Sequence, residues 1–221
     1  MPLYIVSTPI GNLSDMTLRA LETLKNTDLL VCEDTRRANL LLTHYKIEKP
    51  MISYNEHNEG KRVPYLIGLL KQDKNISLVV NAGTPLVSDP GYRLVKAASE
   101  NGIMISPVPG PSIVTAALSV AGLPTDSFTF LGFLPKKPGR RKKLLAAIRK
   151  ETRTYIILVS KERIHTLLKE ILDQLGDRKI CICRELTKFH EEIIRGQLSF
   201  ILDNWKQKKG EYTIVLGNSD V

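Results

Sequence analysis

Cysteine is scarce in this chain. There are three, at positions 32, 181 and 183, and an odd, sparse count without paired spacing predicts reduced thiols in a cytoplasmic protein rather than a disulfide framework. Cys181 and Cys183 fall on one side of an expected strand, where small buried hydrophobes explain them better than a metal site does. Long apolar runs are missing too. None approaches the roughly 20 residues a membrane helix needs, and the opening Met1-Pro2-Leu3-Tyr4-Ile5-Val6 leads straight into a strand, without the layout of a signal peptide. Several chemical motifs are also absent. No Gly-x-Gly occurs, so a Rossmann dinucleotide fingerprint is excluded. No Gly-x-x-x-x-Gly-Lys suggests a phosphate loop, and no His-Glu-x-x-His or Cys-x-x-Cys suggests a metal. No Gly-x-Ser-x-Gly elbow suggests a serine hydrolase.

Acidic residues are missing from one place in particular. Residues 136–150 hold eight lysines and arginines and no aspartate or glutamate. Up to Asp126 the chain carries 12 basic and 12 acidic side chains; from Ser127 onward it carries 20 and 11, a difference of nine that accounts for the whole net charge of +9. A neutral first part and a second part with a concentrated positive stretch point to a polyanionic partner, most simply nucleic acid. A solvated basic loop that aids solubility is the plainer alternative.

The organisation is that of an α/β protein. Apolar runs at 3–7, 28–32, 51–54, 76–80, 103–108, 128–133, 155–159, 179–183 and 212–216 alternate with helical patterns at 15–25, 39–44, 61–70, 92–100, 113–120, 164–175 and 198–206. Ser14 is the expected N-cap of the first helix. The shift in charge, with Pro135, Pro138 and Gly139 interrupting regular structure, sets the expected division into a domain of residues 1–126 and one of 127–221. Strand alternating with helix in both parts argues for two α/β domains.

The organising stretch is Ser77–Gly91. Leu78-Val79-Val80 has the composition of a buried strand, and Asn81-Ala82-Gly83-Thr84-Pro85 follows, where side chains shrink and backbone can approach a ligand. A loop at the C-terminal end of a parallel strand is where open α/β sheets bind ligands. Two other loops after strands have the same character, at 8–12 and 109–112. All three are poor in charge, which suits a nucleoside-like cofactor recognised by backbone groups better than a phosphate cluster.

Eight motifs stand in a telling order: Ser-Thr-Pro-Ile-Gly-Asn-Leu at 7–13, Glu-Asp-Thr-Arg at 33–36, Glu-His-Asn-Glu at 56–59, Ala-Gly-Thr-Pro-x-x-Ser-Asp-Pro-Gly at 82–91, Pro-Gly-Pro-Ser at 109–112, Gly-Leu-Pro-Thr-Asp at 122–126, Gly-Phe-Leu-Pro-x-Lys at 132–137 and Arg-Glu-Leu-Thr-Lys-x-His-Glu at 184–191. In order and spacing they resemble the small-subunit rRNA methyltransferases of the tetrapyrrole methylase superfamily, the class III S-adenosylmethionine-dependent methyltransferases. The resemblance runs from Leu3 to about Leu216. It implies two α/β domains of the tetrapyrrole methylase type with the cofactor cleft between them, usually in a homodimer. The implied reaction transfers the sulfonium methyl of S-adenosylmethionine to the ribose 2′-hydroxyl of a cytidine in the decoding region of 16S rRNA, within the 30S ribosomal subunit.

Carried over by position, the resemblance assigns the cofactor to Pro9, Ala82, Gly83, Thr84, Val87, Ser112, Ile113, Val159 and Leu186. A ribose hydroxyl is a poor nucleophile, so a general base would help; the carboxylates Glu33, Asp34 and Glu185 are candidates, each with a local structural role as the alternative. His190 is better read as a surface histidine. Arg36 and Arg37 are expected on phosphate or ribose, and Lys136, Lys137, Arg140, Arg141, Lys142 and Lys143 along the rRNA backbone. No metal is expected. Two positions depart from the family pattern: Asn81 stands where Asp is common, and Leu158-Val159-Ser160-Lys161-Glu162-Arg163 replaces a common Tyr-Glu-Ser-Pro-His-Arg. A tetrapyrrole methyltransferase, and a non-catalytic RNA-binding assembly factor on the same fold, are the rival readings.

Overall fold

The computed structural model describes residues 2–218. The chain forms two compact units, Met1–Ser112 and Ile113–Val221.

The first unit is a five-stranded parallel sheet, β1 (Leu3–Val6), β2 (Leu29–Cys32), β3 (Met51–Ser53), β4 (Ile76–Val79) and β5 (Ile105–Val108), in the order β3-β2-β4-β1-β5. Connections between parallel strands are right-handed, so the direction of travel decides which face each helix covers. From β1 through β2 to β3 the chain moves one way, and α1 (Leu18–Asn26) and α2 (Thr35–His44) cover one face. Ala20, Leu24, Ala38 and Leu42 pack there on Val6, Leu30, Cys32 and Val79. From β3 through β4 to β5 it moves back, and α3 (Glu59–Lys71) and α4 (Tyr92–Glu100) cover the other. Leu66, Leu70, Leu94 and Ala98 meet Leu3, Val31, Ile76 and Leu78. The period-2 alternation of strand side chains feeds both cores from the same strands.

The first helix differs from expectation. Met16 is extended, with ψ 127°, and Thr17 Oγ1 accepts from the Ala20 amide at 3.1 Å, so Thr17 is the N-cap of α1. Ser14 lies instead in a 3₁₀ turn, Leu13–Asp15, capped by the Asn12 side chain.

The second unit begins earlier than expected. α5 (Ile113–Ala121) packs Val114, Ala117, Leu118 and Ala121 against Ile156, Cys181, Cys183 and Val215, so the division between Asp126 and Ser127 falls inside this unit. Its sheet is mixed: β6 (Phe128–Phe133), β7 (Thr154–Val159), β8 (Lys179–Arg184), β9 (Glu192–Gln197) and β10 (Tyr212–Leu216) run in the order β6-β7-β10-β8-β9, with only the β6–β7 pair parallel. The expected elements leave out β9, whose Glu-Ile-Ile-Arg-Gly-Gln has no clean alternation and follows a polar loop. The other sheet face is covered by α6 (Pro138–Ala147), α7 (Ile164–Leu175) and α8 (Leu198–Asn204), through Leu145, Ile164, Leu168, Ile171, Leu198 and Ile201. The basic stretch is therefore helical. Pro138 sits in the first turn, where its missing amide hydrogen costs nothing. No helix among the described residues is long and apolar enough to cross a membrane.

Candidate active site

In the first unit the loops following β1, β4 and β5 are tied into one platform. The Thr8 amide donates to the Gly83 carbonyl at 2.9 Å and the Gly83 amide returns a bond to Thr8 at 3.0 Å. Thr8 Oγ1 donates to the Val80 carbonyl at 3.2 Å. The Ser7 and Thr84 hydroxyls lie 2.9 Å apart, and Thr84 Oγ1 reaches the Pro111 carbonyl at 3.5 Å. Two glycines make these approaches possible. Gly83 has φ +82° and Gly110 is so close to its neighbour that an added Cβ would lie 3.1 Å from the Ser7 Cβ. Leu86 and Ser88, with φ of 73° and 66°, hold the rest of the β4 loop in left-handed conformations that non-glycine residues adopt at a cost. Pro9 and Gly83 are buried here, Thr84 is half-buried and Ala82 and Val87 are exposed. Ser112 closes this unit, half-buried, and Ile113 opens α5. The platform thus offers small side chains and closely approachable backbone, the donor set that fits a nucleoside-like cofactor.

Beside it are two recesses that share Asp34 and Asn81. One, of about 390 Å³, is polar and includes Glu33, Glu56, His57 and Asp89. The other, of about 250 Å³, is mainly apolar. Asn81 Nδ2 donates to Glu33 Oε2 at 2.6 Å. Burial, and then the charge of Glu33, push the Asp89 carboxyl up to about 6. Asp89 is absent from the expected site residues, although the Ser-Asp-Pro-Gly turn that holds it stood out in the sequence.

The three carboxylates expected as bases have different surroundings. Asp34 is the N-cap of α2. It accepts from the Arg36 amide at 2.9 Å and pairs with the Arg36 guanidinium at 3.1 and 3.3 Å, and these bonds hold it below the usual carboxylate range. Arg36 is therefore engaged with Asp34, while Arg37 is exposed on the apolar recess. Glu185, in the second unit, has φ 50° and accepts from the Glu211 amide at 2.7 Å and from Lys188 at 3.3 Å. Burial raises its carboxyl, but those two donors more than offset it, and it sits below the usual range. That is a brace between strand ends. Glu33 remains facing the polar recess.

Also in the second unit, Val159 ends β7 and Leu186 follows β8; both are buried. His190 is exposed at the tip of the same loop as Glu185. Lys136, Lys137, Arg140, Lys142 and Lys143 are exposed at and along α6. Arg141 is a correction. It is 6% exposed, forms a bidentate ion pair with Glu170, and donates to the carbonyls of Pro135 at 2.8 Å and Lys136 at 3.0 Å. One position on a three-to-four-residue period must face inward, and Arg141 is that position. Arg163, retained from the family pattern, donates to the same Pro135 carbonyl at 3.2 Å.

A parallel sheet with small-residue loops at its strand ends, joined in sequence to a mixed α/β unit, defines a class of methyltransferase. A model of the tetrapyrrole (corrin/porphyrin) methylases matches residues 2–201, and the chain belongs to that family. The fold is that of uroporphyrin-III C-methyltransferase from Thermus thermophilus, which superposes with a TM-score of 0.67 at 19% identity over 98% of this chain and 94% of that one. In sequence the chain is similar to ribosomal RNA small subunit methyltransferase I of Thermotoga maritima, 46% identical with 99% of both chains covered. It is likewise similar to the proteins of that name from Mesorhizobium japonicum, 46% identical over 99% of this chain and 76% of that one, and Escherichia coli O157:H7, 43% identical over 97% and 77%.

Proposed function

We propose that this chain is a cytoplasmic S-adenosylmethionine-dependent methyltransferase, acting as a homodimer, that methylates the ribose 2′-hydroxyl of a cytidine in the decoding region of 16S rRNA in the 30S subunit. The observation that carries the reading is the platform of three charge-poor loops beside a carboxylate recess, in a chain whose near full-length relatives are named as small-subunit rRNA methyltransferases. S-adenosylmethionine, when bound, supplies a methyl group on a positively charged sulfur. The chain's own part is mainly alignment. Ser7, Thr8, Gly83 and Thr84 hold the platform, and Asn81 fixes the Glu33 carboxylate by a hydrogen bond to Oε2. Glu33 accepts the proton of the acceptor hydroxyl. The exposed cations of α6 engage phosphates, positioning the RNA without reading its sequence.

The rival tetrapyrrole acceptor leaves the exposed row of α6 lysines and arginines without a role. The test is methyl transfer to 30S subunits from cells lacking the corresponding gene, with the product mapped by reverse transcription at limiting nucleotide. The reading expects one stop, at a decoding-region cytidine. Transfer to a porphyrin precursor, or none to rRNA, contradicts it.

A further inference from the structure

The apolar recess of the first unit has no part in the account so far. Its walls come from two directions. Pro9 and Leu13 belong to the β1 loop; Ala38, Leu40 and Leu41 belong to α2; Cys32, Val79 and Val80 form the end where β2 and β4 stop. The walls are fixed. Tyr45 Oη donates to the Leu13 carbonyl, the Asn12 side chain caps the turn that follows, and Asp34 caps α2. The floor is inert, because burial and then the charge of Asp34 push the Cys32 thiol up to about 11. The lip is costly: Leu40 is 72% exposed and Leu13 39%, on the same recess. Polar groups gather on one side, where Arg37, Asp34 and Asn81 also line it.

Size limits the occupant. About 250 Å³ lies below the range of roughly 300–1,000 Å³ that takes drug-sized ligands, so the recess suits one flat ring with little attached. Aliphatic walls suit the two faces of such a ring. The Asp34 carboxylate suits an exocyclic amine, as carboxylates accept from the cytosine amino group, and Arg37 suits a phosphate. Asn81 lines this recess and bonds to Glu33, so whatever the ring is attached to lies beside that carboxylate.

We propose that this recess receives the acceptor nucleobase, a cytosine turned out of the RNA, and that Asp34 selects it over uracil. This deepens the proposed function and rests on it for the identity of the acceptor. Enzymes that modify a nucleotide commonly extrude it into a fitted pocket, and unpaired bases are the usual targets of sequence-specific RNA recognition.

The test is a methyl-resolved NMR titration of the full chain with cytidine 5′-monophosphate, uridine 5′-monophosphate and ribose 5-phosphate, with S-adenosylhomocysteine present. Shifts are expected at the methyls of Leu13, Leu40, Leu41 and Val80, strongest with the cytidine nucleotide and absent with ribose phosphate. Leu40→Ala, at an exposed position that leaves the fold intact, is expected to weaken the effect roughly tenfold, on the scale of a lost base-stacking contact. Asp34→Asn keeps a good N-cap and is expected to abolish the preference for cytidine over uridine. Shifts that ribose phosphate reproduces, or that miss these four residues, overturn the proposal. Cytidine binding in the recess without methylation of 30S subunits keeps the pocket and overturns the rRNA assignment instead.

Discussion

The side-chain amide of Asn81 donates to the carboxylate of Glu33 across 2.6 Å. The family pattern commonly places Asp at that position, and Asn is what lets the contact be a hydrogen bond between a neutral donor and an ion rather than a meeting of two carboxylates. Asn81→Asp adds a charge beside Glu33, in the recess that also holds Asp89. Like charges disfavour ionisation, so the acid limb of the pH–rate profile is expected to move up by roughly one unit. An unchanged profile across pH 5–9 contradicts the pairing.

Asp89 carries a stability signature. Its carboxyl is raised to about 6 by burial and by Glu33, above the roughly 3.9 of an unfolded chain. The folded state therefore holds a proton that the unfolded state releases between those values. The contribution is fully present below about pH 4 and is lost as pH rises through about 6. Asp89→Asn removes the penalty paid at neutral pH. Denaturant titrations are expected to show the variant roughly 1–3 kcal/mol more stable at pH 7.5 and equal to the parent at pH 4.

Arg141 and Arg140 are neighbours in sequence with opposite duties. Arg141→Met leaves Glu170 buried without its partner and frees two carbonyls, which is expected to cost roughly 3 kcal/mol. Arg140→Ala changes an exposed position and is expected to leave stability within about 0.5 kcal/mol, while lowering the salt dependence of RNA binding by about one counterion. Thermal melts and salt-titrated RNA binding on both variants separate the two roles; equal melts contradict the assignment.

Glu185 braces the loop after β8. Glu185→Gln keeps an acceptor for the Glu211 amide and weakens the ion pair with Lys188. It is expected to lower the melting temperature by a few degrees, in line with a loss of about 1 kcal/mol, with kcat unchanged. A large fall in kcat at unchanged stability would make Glu185 the base in place of Glu33.

Much of this was legible in the sequence, for physical reasons. The strand ending at Val79 and the loop that follows were visible because an apolar run gives way to small residues, and α4, α7, β6 and β10 were readable to the residue. Asp34 was legible as a possible cap because it precedes a helical pattern. What was hidden depended on packing. α5 reads the same whichever sheet it covers, so the division of the chain had to come from its contacts with Ile156 and Val215. Arg141 looks like its five basic neighbours until Glu170, 29 residues on, closes over it. The raised carboxyl of Asp89 needs the charge of Glu33, 56 positions earlier, and no local pattern announces that.

The most direct test of the central claim is calorimetric titration with S-adenosylhomocysteine of the parent and of Gly83→Trp, which fills the closest point of the loop platform. The account predicts binding by the parent and its loss in the variant, with 30S methylation lost in parallel. A folded parent that does not bind, or a variant that binds as well as the parent, contradicts it.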